Sequence, residues 1–274
     1  MRRLVLAILF AAACGDSHGA GTDGGSGGDG NPIGSDGAGG DGTLGTCDPN
    51  GPQCSNCIDD DGDGRIDGFD PECTGPNDND ESSFATGIPC DNIDPVEQDC
   101  FFDGNSGAGN DGCNVHVCCL LGAQTVEDCP IGANRYNPDD CPPPIGNNAL
   151  TQQCIDTCGP LAPPGCDCFG CCMVCEPGSD QCYDIDINAA DSPDCTEDTL
   201  SDPTKCLRCT PVLGCGNVTC GGDTCILCPG EDPNDLPDTC NGATCEPGQT
   251  ACPDGNGCAA DQYCANGCCI AVPG

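Results

Sequence analysis

Cysteine fills 34 of the 274 positions, 12% of the chain, and no other feature limits the possible folds so tightly. That density marks exported proteins whose shape is held by disulfides. The usual alternative, a large apolar core, is closed to this chain. Leu, Ile, Val and Phe together account for 41 residues, 15%, and Trp is absent. Cross-links must therefore replace much of the missing apolar burial. The expected fold class is small and disulfide-rich, mostly irregular with short β-hairpins, and with little helix apart from a signal peptide. A formal charge of −39 repels phosphate backbones and attracts cations, which excludes nucleic acid as a partner.

The first residues give an address. Arg2 and Arg3 precede the apolar run from Leu4 to Ala13, too short to cross a bilayer as a mature helix but suited to a signal-peptide core. The run ends Ala11-Ala12-Ala13-Cys14, which resembles a bacterial lipobox, with Ala11 where that pattern usually has Leu. Residues 1–13 are read as the signal peptide and Cys14 as the lipidated residue, giving a membrane partner through that anchor. Ordinary signal peptidase would cut at the same bond and leave a secreted protein. Lipidation of Cys14 leaves 33 cysteines, so one would be unpaired or bridged to another molecule. Residues 14–46 then form a tether: Gly15 to Thr46 holds 14 glycines and five aspartates in 32 residues. So few apolar groups cannot offset the entropy of ordering.

The sharpest local signal lies in the next segment, 47–85. Asp59-Asp60-Asp61-Gly62-Asp63-Gly64-Arg65-Ile66-Asp67-Gly68-Phe69-Asp70 follows the twelve-residue calcium-loop pattern. Asp59, Asp61 and Asp63 stand at positions 1, 3 and 5, Arg65 offers its carbonyl at 7, Asp67 stands at 9 and Asp70 at 12. Gly64 supplies the sharp turn and Ile66 the apolar position. Like charges crowded this closely repel, and a divalent cation relieves that repulsion. Asp70 replaces the usual glutamate, so the expected affinity for Ca2+ is weak, with a Kd on the order of 10⁻⁴ to 10⁻³ M. Pro52, Pro71, Gly75 and Pro76 crowd the flanks, which argues against a helix pair. The loop resembles those of thrombospondin type 3 and dockerin-like modules. Cys57 and Cys73 bracket it, and a bond between them would contribute about 3 kcal/mol by the chain-entropy argument. A second acidic run, Asn77 to Glu81, has no such register and reads as solvated, with the alternative that it lends the loop a ligand.

Residues 86–239 form a cysteine-rich body, and 240–274 a C-terminal disulfide mini-domain in which Cys245, Cys252, Cys258, Cys264, Cys268 and Cys269 should make three bridges. Asn114 to Leu121 is the best strand candidate, ahead of Asp184 to Ile187 and Asn217 to Cys220. Phe84, Phe101 and Phe102 form a candidate apolar cluster. Cys175-Glu176-Pro177-Gly178 with Cys182, and Cys245-Glu246-Pro247-Gly248 with Cys252, read as one turn used twice. Cys206, Cys209, Cys225 and Cys228 match a zinc-ribbon spacing, but export and sheer cysteine density favour disulfides. The adjacent Cys171 and Cys172 should point apart and bridge to different places.

A nucleophilic triad would need a histidine, and the folded body has only His116, read as a solvent-facing strand residue. The lipobox, the tether, the Asp-Gly-Asp-Gly loop and runs such as Cys166-Asp167-Cys168-Phe169-Gly170-Cys171-Cys172 and Asn266-Gly267-Cys268-Cys269 together look like cysteine-rich surface lipoproteins of myxobacterial type. The resemblance implies an outer-membrane or cell-surface address and no established activity. The expectation is a non-enzymatic scaffold or interaction protein, stabilised by calcium and disulfides, with an extracellular protein or cell-surface partner. A secreted hydrolase and a thiolate metal-binding protein are the alternatives.

Overall fold

The computed structural model describes residues 49–88, 94–104, 111–132, 134–179, 181–216, 219–231, 234–240, 245, 248–252, 257–265 and 267–272. Cys14, the leader and the tether lie outside them. Regular structure is sparse, as the cysteine and turn content predicts. Three antiparallel two-stranded sheets pair β1 (Glu97–Gln98) with β2 (Val115–His116), β3 (Cys171–Cys175) with β4 (Cys182–Asp186), and β5 (Gln262–Ala265) with β6 (Cys268–Ala271). Helix α1 (Val117–Leu120) is a single turn, and α2 (Gln152–Cys158) runs on into a 3-10 turn at Gly159–Leu161. No helix among the described residues is long and apolar enough to cross a membrane.

Half-cystines make up just over half of the buried apolar side chains among the described residues. The remainder centres on Phe84, Phe101, Phe102, Val174, Ile185, Ile187 and Leu200, in one cluster with the sulfurs. The three phenylalanines do come together, and the Phe101 and Phe102 rings meet edge to face at 5.1 Å. Helix α2 shows how local rules and cross-links cooperate. Thr151 Oγ1 accepts the Cys154 N–H at 3.1 Å as a cap. Cys154 and Cys158, one turn apart, then face inward to bond Cys113 and Cys100.

The β3–β4 hairpin is closed by Cys175–Cys182, which are also partners in strand register. Gly178 takes φ +68 in its turn, a region that favours glycine. Cys171 and Cys172 point apart, to Cys209 and to Cys166. The six C-terminal cysteines pair among themselves as Cys245–Cys268, Cys252–Cys264 and Cys258–Cys269.

Several expectations are corrected. The strand expected over Asn114 to Leu121 stops after His116, whose Nδ1 accepts the Cys118 N–H at 3.1 Å and so caps α1. Its Nε2 lies 3.1 Å from the Asn134 carbonyl, so this half-buried histidine has work for both ring nitrogens and does not simply face solvent. The zinc-type spacing is a coincidence of density: Cys206, Cys209, Cys225 and Cys228 bond Cys195, Cys171, Cys240 and Cys220. The repeated Cys-Glu-Pro-Gly turn does not repeat its bond, because Cys175 closes on Cys182 whereas Cys245 reaches Cys268. Asp184 to Ile187 falls largely within β4. Asn217 and Val218 lie outside the described residues, and Thr219 and Cys220 are not in a strand.

Candidate calcium site

The loop from Asp59 to Asp70 folds back on its own aspartates. The Gly62 N–H donates to Asp59 Oδ1 at 2.6 Å and the Gly64 N–H to Asp59 Oδ2 at 3.1 Å. Two residues on each time, the Asp63 N–H donates to Asp61 at 2.9 Å and the Arg65 N–H to Asp63 at 2.7 Å. These are successive Asx turns, which short acidic side chains form readily. Gly64 has φ +99 with open space where a Cβ would stand, so backbone freedom and not crowding requires glycine there. As a result, carboxylate oxygens of Asp59, Asp61 and Asp63 lie within 4.8 Å of one another. Three like charges at that separation repel by about 1 kcal/mol per pair in water, the unfavourable field that a cation cancels. Among the described residues, the other His, Cys, Asp or Glu groupings of this size are built on half-cystines, which have no thiolate to offer.

The remaining candidate ligands divide. Asp70 is fully buried; its Oδ1 accepts the Glu72 N–H at 2.9 Å and its Oδ2 has no hydrogen-bond partner. Burial raises its pKa to about 6, and the charges on Asp63 and Asp61 push the same way against hydrogen bonds from Glu72. Glu72 is driven up to about 10, first by burial and then by the side-chain hydrogen bond and charge of Asp70. Arg65 brings its guanidinium to the same surface, 3.9 Å from Asp63 and 3.5 Å from Glu197. Asp67 is not among the three converging carboxylates. Fully buried, it turns back to accept the N–H groups of Asn56 and Cys57 at 3.0 Å, from a backbone at φ +51. It organises the mouth of the loop.

The bond bracketing the loop is Cys54–Cys73, not Cys57–Cys73. Cys54 sits buried in the 3-10 turn Gln53–Ser55, with its N–H held by the Asp78 carbonyl at 3.2 Å. Cys57 takes φ +63, donates its N–H to Asp67, and is itself in a disulfide. The chain-entropy contribution is again about 3 kcal/mol.

The second acidic run, expected to be solvated, contains two groups as fully buried as Asp67 and Asp70. Asp78 and Glu81 are fully buried. Asp78 Oδ2 accepts from the Thr74 N–H at 3.1 Å and the Thr74 hydroxyl at 2.9 Å, while Oδ1 accepts from the N–H groups of Asp80 at 3.1 Å and Gly87 at 3.2 Å. Burial lifts it to about 7 against those bonds. Glu81, also raised to about 7 by burial, accepts the Asp60 N–H at 2.7 Å on one oxygen and the Asp67 N–H at 2.9 Å on the other. The loop rests on the C-terminal hairpin. Tyr263 is fully buried and donates to the Cys54 carbonyl at 2.8 Å, and Phe69 packs against Cys252, Cys264 and Cys269. A Cβ at Gly68 would fall 1.6 Å from the Cys264 carbonyl oxygen, so only glycine permits this approach.

Comparison of the chain with protein-family models, with curated proteins and with solved structures finds no match. The sequence singles out Asp59, Asp61 and Asp63, which the structure brings together, but gives no sign of Asp78, Glu81 and Tyr263. Their roles depend on which main-chain N–H groups the folded backbone presents to them, and no spacing rule encodes that.

Proposed function

We propose that this chain is a non-enzymatic surface scaffold or interaction protein, lipid-anchored through Cys14, whose exposed loop binds Ca2+ through Asp59, Asp61, Asp63 and Asp70. The arrangement that carries the calcium reading is the convergence of the Asp59, Asp61 and Asp63 carboxylates; the buried Asp70, whose Oδ2 has no hydrogen-bond partner, feels the charges of Asp63 and Asp61 but is not among the three that converge. A buried acceptor left unmatched costs about 1–3 kcal/mol, and a hard cation that prefers oxygen ligands removes that cost. The disulfide framework supports an oxidising, extracytoplasmic address, and the signal-like run before Cys14 supports the anchor.

A calcium titration followed by thermal unfolding tests the site. At a concentration about ten times Kd, binding to the folded state alone adds about 1.4 kcal/mol, which for a chain of this size raises Tm by about 3–6 °C. The double variant Asp59→Ala/Asp63→Ala should lose that rise. An equal rise in the variant would place any calcium effect elsewhere. The intact mass of the protein from a bacterial host, read at Cys14, tests the anchor.

A further inference from the structure

Among the acidic groups around the loop, Glu81 is unlike the rest: it is fully buried, lies eleven residues beyond the last loop position, and is hydrogen-bonded to the loop backbone at two separate points. We propose that Glu81 is the positioning residue that holds the two limbs of the calcium loop at ligating separation. The inference rests on the calcium reading above.

The two N–H groups that Glu81 accepts belong to loop positions 2 and 9, Asp60 and Asp67, so a single carboxylate spans the neck of the loop. From there the grip is relayed. Asp67 accepts the N–H groups of Asn56 and Cys57. Asn56 in turn donates from Nδ2 to Asp60 at 2.7 Å and accepts the Ile58 N–H at 2.8 Å. Glu81 is itself fixed, its N–H donating to Gln53 Oε1 at 3.1 Å. Asp59, the first ligand and the acceptor for Gly62 and Gly64, thus sits on a segment pinned from Asn56 to Asp60. Residues that fix metal ligands from behind in this way commonly change affinity by 10–100-fold when altered. A carboxylate suits the task because each oxygen can accept one N–H, whereas the isosteric amide offers a single acceptor.

The test uses the full-length oxidised protein with calcium and with Tb3+ as a luminescent substitute. Glu81→Gln should weaken calcium binding about 10-fold and Glu81→Ala more, while the number of disulfides stays the same. Tb3+ bound to Glu81→Gln should decay faster in H2O relative to D2O than in the wild type, because a slack loop admits an extra water; a purely structural role would leave that ratio alone. In the calcium-free wild type, the Asp60 amide should already be protected from hydrogen exchange, a measurement that decides the matter even when neither variant folds. An exposed, fast-exchanging Asp60 amide, or calcium affinity unchanged in Glu81→Gln, would overturn the assignment while leaving the calcium site standing. A wild-type protein that binds no calcium would overturn the site reading itself, and the assignment with it.

Discussion

From Pro49 to Ile88, carboxylates are buried as often as apolar side chains: Asp67, Asp70, Asp78 and Glu81 are fully buried beside Cys54, Cys73, Phe84, Ala85 and Ile88. Between Cys113 and Gly216 the inside is mainly sulfur, with half-cystines from every segment meeting Phe169, Val174, Ile185, Ile187 and Leu200. Both regions face the same shortage of apolar side chains, and they meet it differently. In the body, covalent loops lower the entropy of the unfolded chain, so the native state can be held by a thin core. In the loop region, short acidic side chains take the place of secondary structure by accepting main-chain N–H groups that no sheet or helix satisfies. The second solution keeps carboxylates near one another, the arrangement on which the proposed calcium site rests. Among the described residues the body has one comparable hub, Asp167, which accepts the N–H groups of Phe169, Cys171 and Val212 at 2.8, 3.0 and 2.7 Å.

Paired substitutions can break this comparison. Asp78→Ala removes an acceptor of four hydrogen bonds and strands the two buried donors of Thr74, for an expected loss of about 3 kcal/mol in denaturant unfolding. Removing the Cys195–Cys206 bridge with Cys195→Ala/Cys206→Ala should cost a similar amount, within the 2–5 kcal/mol range that native bridges show. A loss well under about 1 kcal/mol for Asp78→Ala would mean that carboxylate hubs are not the counterpart of disulfides.

A smaller effect comes from pH, and it carries a sign. Burial raises Asp78 and Asp186 to about 7 and Asp167 to about 6, all above the ordinary aspartate value of about 4. Groups raised in the folded state contribute stability that is complete below about pH 4, fades as pH climbs through 6 to 7, and changes little beyond. With calcium chelated, Tm should therefore rise when the buffer is taken from pH 7.5 to pH 5. A Tm that falls over this interval would mean the buried aspartates are held ionised.

Much of the fold is legible in the sequence, and the reasons are physical. Cysteine count and turn content set the disulfide-rich, irregular fold, and six cysteines isolated near the end had few partners other than themselves. The spacing of Asp59, Asp61 and Asp63 around Gly64 encodes a local turn, so it survives folding unchanged. Cys54 could not be chosen over Cys57 as the partner of Cys73, because the choice depends on Cys57 turning to φ +63 under the pull of Asp67. Asp67 matched position 9 by spacing, yet its carboxylate is committed to the N–H groups at the mouth of the loop. Glu81 read as solvent-facing because acidic runs usually are; only the fold shows the two N–H groups that make its burial tolerable.

Bridging by sulfur is the claim on which the rest stands, and thiol counting by intact mass reads it directly. Protein isolated without reductant, unfolded in denaturant and exposed to an alkylating reagent should gain no adduct on any of the thirty cysteines that pair with one another in fifteen bridges among the described residues. After reduction all of them should react. Extensive alkylation before reduction, or zinc released on unfolding, would contradict the account.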